Sequence, residues 1–321
     1  MTREKAKNFI LKFCKYLSIL LINLVLIELF CFWHTAFLYL NSKEDFIEKT
    51  LPEKLKELIT FKYPTISYSD YETFYYNEVK SKLRKPTGLN YNSAPYLLLG
   101  CSFAYGFGLK DDETFQTKLS EITKHPVYNY GFEWYFGLAN MLWLSRSDKF
   151  YEEMPKPQNV IYVLMSDHLR RMNNSIGDEI YPFPFLHYSL RNGKLEPDKY
   201  YFYRNFQIYR KYNCYKSLAV SLDKSLKLMN EFFVETKEEF DKHWKDYKFI
   251  ILVYEQNKDD KKLFAQNDWK YLQDKGFVVI STSDLIGRVM DEENDIIPDD
   301  GHPSAVAWKA LTPAFVRKIL N

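Results

Sequence analysis

The run Tyr96-Leu97-Leu98-Leu99-Gly100-Cys101-Ser102-Phe103-Ala104-Tyr105-Gly106-Phe107-Gly108 decides how the rest of the chain is read. Its first four residues form a short apolar run of the kind that makes a strand buried on both faces of a parallel sheet. Gly100 breaks the run, and Ser102 falls where such a strand ends. Ligands in open α/β sheets sit outside the carboxyl ends of the strands. A hydroxyl at that point is placed either to act as a nucleophile or merely to cap a strand–helix connection. Gly106 and Gly108 permit tight turns and close backbone approach. Beyond them Asp112 to Ile122 predicts a helix. Asp111, Asp112 and Glu113 suit its positive end, and Phe115, Leu119 and Ile122 recur at helical spacing.

The same alternation continues outward from this point. Apolar runs at Tyr96–Leu99, Val127–Tyr130, Asn159–Met165, Phe249–Tyr254 and Phe277–Ser281 predict five strands. Helical patterns at Asp112–Ile122, Phe136–Phe150, Tyr215–Trp244, Asp259–Gln273 and Ser304–Ile319 separate or follow them. Strands alternating with helices predict a parallel sheet covered on both faces, a flavodoxin-like three-layer α/β/α fold. One connection is too long for a simple crossover. The insertion at about 172–214 carries Tyr181-Pro-Phe-Pro-Phe-Leu-His-Tyr188 and the tyrosine-rich run Tyr200–Tyr209. It reads equally as a specificity loop or as an aromatic surface layer.

The N-terminal part has a different character. Residues 16–40 are apolar over a length that crosses about 30 Å of hydrocarbon at about 1.5 Å per residue. Arg3, Lys5, Lys7, Lys12 and Lys15 precede them, so the positive-inside rule predicts a cytoplasmic basic tail over 1–15. Everything after Asn41 is then extracytoplasmic, and the protein is a single-pass inner-membrane protein with a periplasmic domain. No small-residue cleavage pattern follows, so a retained anchor is expected rather than a cleaved signal. A long amphipathic helix packed on the soluble domain is the alternative. Glu28 interrupts the span and is costly there unless it is protonated, functional or paired with a membrane-protein partner. Residues 41–95 show no clean period and read as a connector or accessory layer. The domain proper spans 96–321.

Composition narrows the function. Apolar residues make up 46% of the 321, which supports a full core and excludes wholesale disorder. A net charge of +2 from 44 basic and 42 acidic residues argues against a nucleic-acid partner. Cys14 and Cys31 lie in the N-terminal apolar region, and Cys101 reads as a small core residue rather than half of a disulfide. No cysteine spacing suggests a metal. The loop after the first strand lacks a phosphate-binding glycine fingerprint, which disfavours a cytoplasmic nucleotide protein. No cofactor is expected.

Near the C-terminus stands Ile297-Pro298-Asp299-Asp300-Gly301-His302-Pro303-Ser304, directly before the last helical pattern. A serine nucleophile needs a base to take its proton, and the base needs an acid to hold its tautomer. Ser102, His302 and Asp299 can supply those three roles. Asp300 competes with Asp299, but the three-residue spacing to His302 favours Asp299. Ser304 also reads as the cap of the last helix.

These residues resemble the blocks of the SGNH hydrolase superfamily, also called GDSL esterases and lipases. Gly100-Cys101-Ser102 resembles its Gly-Asp-Ser block, Asn129-Tyr130-Gly131 its second-block glycine, and Asp299-Asp300-Gly301-His302 its final Asp-x-x-His. The likeness runs from about Tyr96 to the end of the chain. The third block departs from the pattern. Where the family has Gly-x-Asn-Asp, this chain has Met165-Ser166-Asp167-His168-Leu169-Arg170-Arg171, with no asparagine to help hold an oxyanion. An ionised Asp167 would repel developing negative charge. His168 or Arg171, with the backbone N–H groups of Ser102 and Gly131, are the replacement donors expected from this resemblance. Loss of one such donor costs about 10²–10³ in rate.

The resemblance implies a serine esterase working through an acyl-enzyme on ester groups. Its substrate would be an acylated glycan or lipid. Placement outside the membrane associates it with O-acetyl groups of envelope glycans. The same three residues serve O-acyl transfer to a sugar hydroxyl. The altered third block also admits a non-catalytic glycan-binding or assembly module.

Overall fold

The computed structural model describes residues 3–41, 50, 52–54, 72, 75–132, 137–172, 188–197, 220–290 and 293–320. The chain divides into two units. One comprises Met1–Ser67, Asn174–Phe185 and Lys199–Ala219, the other Tyr68–Asn173, Leu186–Asp198 and Val220–Asn321. In the first, helix α1 runs Arg3–Asn41. Its stretch Lys12–Phe30 is long and apolar enough to cross a membrane, as an anchor or a signal sequence would be. Phe13, Leu20, Leu26 and Phe30 are all exposed along it. The side chain of Asn23 donates to the carbonyl of Ile19 at 2.9 Å, so this amide meets its need for a partner within the helix itself. Most of residues 42–74, and the insertion's aromatic stretches apart from Tyr188, lie outside the described residues.

The second unit is built on a five-stranded sheet. Strand β1 is Tyr96–Gly100, β2 Val127–Asn129 and β3 Asn159–Leu164. A hairpin pairs β4, Tyr188–Arg191, with β5, Lys194–Pro197. Strand β6 is Lys248–Val253 and β7 Phe277–Ser281. The order across the main sheet is β2-β1-β3-β6-β7, and every neighbouring pair is parallel. Leaving the hairpin aside, this is the 2-1-3-4-5 order of the flavodoxin-like fold. All five expected strands are present.

Side-chain alternation decides which helices cover which face. Leu98, Ile161, Val163, Ile250 and Leu252 share a core with Phe115, Trp308, Leu311 and Phe315. That face is covered by helices that include the last α-helix of the chain, which carries Trp308, Leu311 and Phe315. Helix α2, Ser102–Tyr105, is a single turn at the end of β1, and α3, Phe115–Thr123, follows it. On the opposite face lie α4, Leu138–Ser145, and α5, Asp148–Glu153. The sequence pattern read these two as one helix. Helix α6, Asp167–Met172, follows β3. The long α7, Leu222–His243, sets Phe233 edge-on to Tyr162 at 5.2 Å between ring centres.

The expected single helix at Asp259–Gln273 is also two, α8 at Lys258–Phe264 and α9 at Trp269–Asp274. Asp268 ends the continuity by capping α9, its carboxylate accepting the Tyr271 N–H at 3.2 Å. Helix α10 is Thr282–Ile286 and α11 is Ala305–Phe315. Ser304 caps α11, accepting the Ala307 N–H at 3.3 Å. Trp308 of α11 is fully buried and stacks on Phe115 of α3 at 4.9 Å.

Because α11 follows the His302 loop directly, its docking sets where that loop sits. Trp308→Ala opens a large cavity in this contact and is expected to cost about 3–5 kcal/mol, read as a lowered midpoint of denaturant unfolding followed by circular dichroism.

Candidate active site

The nucleophile position is built by backbone geometry. Gly100 closes β1 at φ 141°, and a Cβ there would lie 2.9 Å from the Val163 carbonyl oxygen and 2.9 Å from the Ala104 Cβ. Only glycine tolerates both the dihedral and the contact. The chain then turns at once into α2. Tyr105 N–H bonds the Cys101 carbonyl at 3.0 Å and Gly106 N–H the Ser102 carbonyl at 2.9 Å. The N–H groups of Ser102, Phe103 and Ala104 open this turn without a partner inside it. Cys101 points into the core, its thiol 3.3 Å from the Met165 sulfur, while Ser102 lies at the carboxyl rim.

Two hundred residues further on, His302 meets it. The imidazole Nε2 lies 2.7 Å from Ser102 Oγ. Its Nδ1 lies 2.8 Å from Asp300 Oδ1. A serine hydroxyl, an imidazole and a carboxylate therefore form one continuous hydrogen-bonded chain. The carboxylate is that of Asp300, which corrects the expectation of Asp299. The reason is the path of the loop. Asp299 adopts φ 62° and Gly301 φ 79°, so the backbone reverses on either side of Asp300. The N–H groups of Asp300 and Gly301 both approach the Ile297 carbonyl, at 3.3 and 3.2 Å, and Ile297 N–H bonds the His302 carbonyl at 2.8 Å. In so tight a turn the residue two before the histidine faces the ring.

Two aromatic side chains flank the ring, and two further contacts hold its loop. Phe103 and Phe107 lie at 5.3 and 4.9 Å from the imidazole centre. Gln256, just beyond β6, donates from Nε2 to the Gly301 carbonyl at 2.8 Å. Gly108, at φ 75°, passes so close to Asp300 that a Cβ would be 3.3 Å from its Oδ2. Neither Gln256 nor the loop glycine's role could be anticipated from spacing, since both depend on the fold bringing remote loops together.

The expected oxyanion donors fare differently. Gly131 sits against α2, where a Cβ would be 2.7 Å from the Tyr105 nitrogen. Its N–H, however, donates to Asn129 Oδ1 at 2.8 Å, while Asn129 Nδ2 donates to the Ala104 carbonyl at 2.8 Å. His168 is fully buried, with Nδ1 3.1 Å from the Tyr162 hydroxyl and no partner for Nε2 among the described residues. It does not reach Ser102, because the start of α6 turns it inward. Asp167 and Arg171 pair with each other across one helical turn at 3.3 Å, which counters the repulsion expected of Asp167. Among the described residues no group of three His, Cys, Asp or Glu side chains is gathered as for a metal. A cavity of about 260 Å³ at the ends of β6 and β7 is lined by Glu255, Lys261, Trp269 and Asp284, and Ser102 is not part of it.

No family model and no curated protein matches this sequence. Solved structures do. A member of the lipolytic protein G-D-S-L family from Veillonella parvula is similar at 10% identity and a TM-score of 0.43, over 71% of this chain and all of that one. An acetyl xylan esterase from the rumen bacterium Butyrivibrio proteoclasticus is similar at 10% identity and 0.41, over 71% and 64%. A salicylyl-acyltransferase from a tetracycline biosynthetic pathway is similar at 11% and 0.42, over 71% and 55%.

Two outcomes follow from this geometry. Asp300→Asn is expected to broaden or remove the downfield proton that the Asp300 contact holds on His302 Nδ1, whereas Asp299→Asn leaves it in place; NMR spectra of the two variants separate them. The second concerns His168, whose pKa burial drives well below the ordinary value, with Arg171 adding to the effect. The unfolded chain takes up a proton near pH 6.5 that the native chain refuses, so this residue withdraws stability as pH falls below that point. His168→Phe is expected to flatten the fall in urea midpoint between about pH 7 and about pH 5.

Proposed function

We propose that this protein is an acyl-transferring serine enzyme in which Ser102 is the nucleophile, His302 the base and Asp300 the acid that holds the base. The observation carrying this reading is the Ser102–His302–Asp300 chain, at 2.7 and 2.8 Å. In the first step Ser102 Oγ attacks the ester carbonyl carbon and its proton passes to His302 Nε2. Collapse breaks the bond to the alcohol, which leaves with that proton. Water, or a second hydroxyl, then gives a proton to Nε2 and attacks the acyl-enzyme; the acyl–oxygen bond breaks and Nε2 returns that proton to Ser102 Oγ. The first-turn N–H groups of α2, which have no acceptor within that turn, are the donors offered to the oxyanion. The apolar stretch of α1 and the basic residues before it support a single-pass protein with this site on the extracytoplasmic side. Ester groups on envelope glycans, O-acetyl groups above all, are the substrates such placement favours, with lipid esters next.

A specific observation favours a second reading, a glycan-binding or assembly module that kept the fold. The Gly131 N–H is engaged by Asn129, and the third block offers no asparagine, so oxyanion donors are few. A fluorophosphonate probe decides between them. The esterase reading expects labelling of the full-length chain that vanishes in Ser102→Ala. A folded native chain that stays unlabelled supports the module.

A further inference from the structure

We infer that Arg84 is a positioning residue for the Ser102–His302–Asp300 chain, acting through the loop that follows Ser102; the inference rests on the acyl-transfer reading. The Arg84 guanidinium donates from Nε to the Tyr105 carbonyl at 2.6 Å, and from Nη2 to the Gly106 and Leu109 carbonyls at 2.8 Å each. Its Nη1 pairs with Asp111, and its plane lies 4.7 Å from the Tyr105 ring centre. One side chain thus gathers three carbonyls from both ends of the glycine loop. Tyr105 and Gly106 lie at the C-terminal end of α2, where carbonyls lack helical donors and a cation is favoured.

What that loop touches makes the clamp more than a structural tie. Phe107, within it, packs on the imidazole of His302 at 4.9 Å. Gly108, also within it, abuts Asp300 and Ile297 closely enough that a Cβ would be 2.8 Å from Ile297 Cδ1. The loop is therefore the wall against which the base and its acid rest. Arg84 is itself fixed from the other side. Three residues on, Thr87 exchanges backbone hydrogen bonds with Val127 of β2 at 3.1 and 3.0 Å, and Gln116 Nε2 donates to the Lys85 carbonyl at 2.8 Å. Arg84 thereby ties the wall behind His302 to an edge strand of the sheet. Only a planar fork can serve carbonyls arranged in this way; an ammonium cannot. The exposed pair with Asp111 adds little.

The test uses the full-length chain in detergent and two readouts. The first is fluorophosphonate labelling of Ser102, resolved into a maximal rate and a half-saturating concentration. The second is the downfield proton on His302 Nδ1 in the NMR spectrum, assigned by its loss in His302→Gln. Arg84→Ala and Arg84→Lys are each expected to fold and to lose about 10- to 100-fold in maximal rate, as small misplacements do, with the half-saturating concentration unchanged. Millimolar guanidinium restores Arg84→Ala and not Arg84→Lys, while Asp111→Ala keeps the native rate. The downfield proton broadens or disappears in both Arg84 variants. Native rates in folded Arg84→Ala overturn the inference, as does a loss without guanidinium rescue while the proton stays sharp. If the native chain itself is unlabelled, the acyl-transfer reading fails, and a sharp proton in Arg84→Ala then overturns the clamp separately. Should Arg84→Ala not fold, Arg84→Gln is read on the same two scales.

Discussion

A single hydrogen bond, from Ser102 to His302 across 200 residues of chain, is what the arrangement at the carboxyl rim depends on. Neither partner is held by its own sequence neighbourhood alone. Ser102 is presented by a glycine-closed strand end and one turn of helix. His302 is presented by a loop with two left-handed residues, pinned by Gln256 and delivered by the docking of α11. The bond forms because β1 and the final helix pack into the same core, where Trp308 stacks on Phe115. Core packing and site geometry are here one constraint. A shift of the last helix by a fraction of a turn would carry the imidazole out of reach.

Electrostatics follow the same division. Asp300 and His302 remain partly open to solvent, at 30% and 19% side-chain exposure. His168 shows the opposite condition. It is sealed in the core beside Tyr162, and burial favours its neutral form. Two histidines in one domain thus take unlike roles because one sits at the rim and the other beneath it. The Asp167–Arg171 pair likewise resolves locally a charge that the sequence left exposed to repulsion.

The second block illustrates how a backbone group can be diverted. Asn129 uses its amide nitrogen on the Ala104 carbonyl and its oxygen on the Gly131 N–H. This stitches β2 to the turn bearing Ser102 and stiffens it. The same bond engages a donor that an oxyanion would otherwise have. Rigid support for the turn bearing Ser102 and a free N–H group beside it therefore compete for one donor.

Periodicity alone was enough for the five strands, their parallel character and most helices, because strands buried on both faces must be continuously apolar and covering helices must be amphipathic. Ser102 and His302 were legible too, since a strand-end serine and a proline- and glycine-bounded histidine leave few other chemical partners. The Asn192-Gly193 turn, at φ 50° and 75°, was a hairpin signal available in the sequence but hidden within a long insertion. Helix breaks at Asp268 and between Ser145 and Asp148 were missed because apolar spacing runs on across a cap. The choice of Asp300 over Asp299, the inward turn of His168 and the reach of Arg84 were decided only by tertiary structure. Each depends on backbone direction in a turn or on contact between distant segments, and one-dimensional spacing carries no record of either.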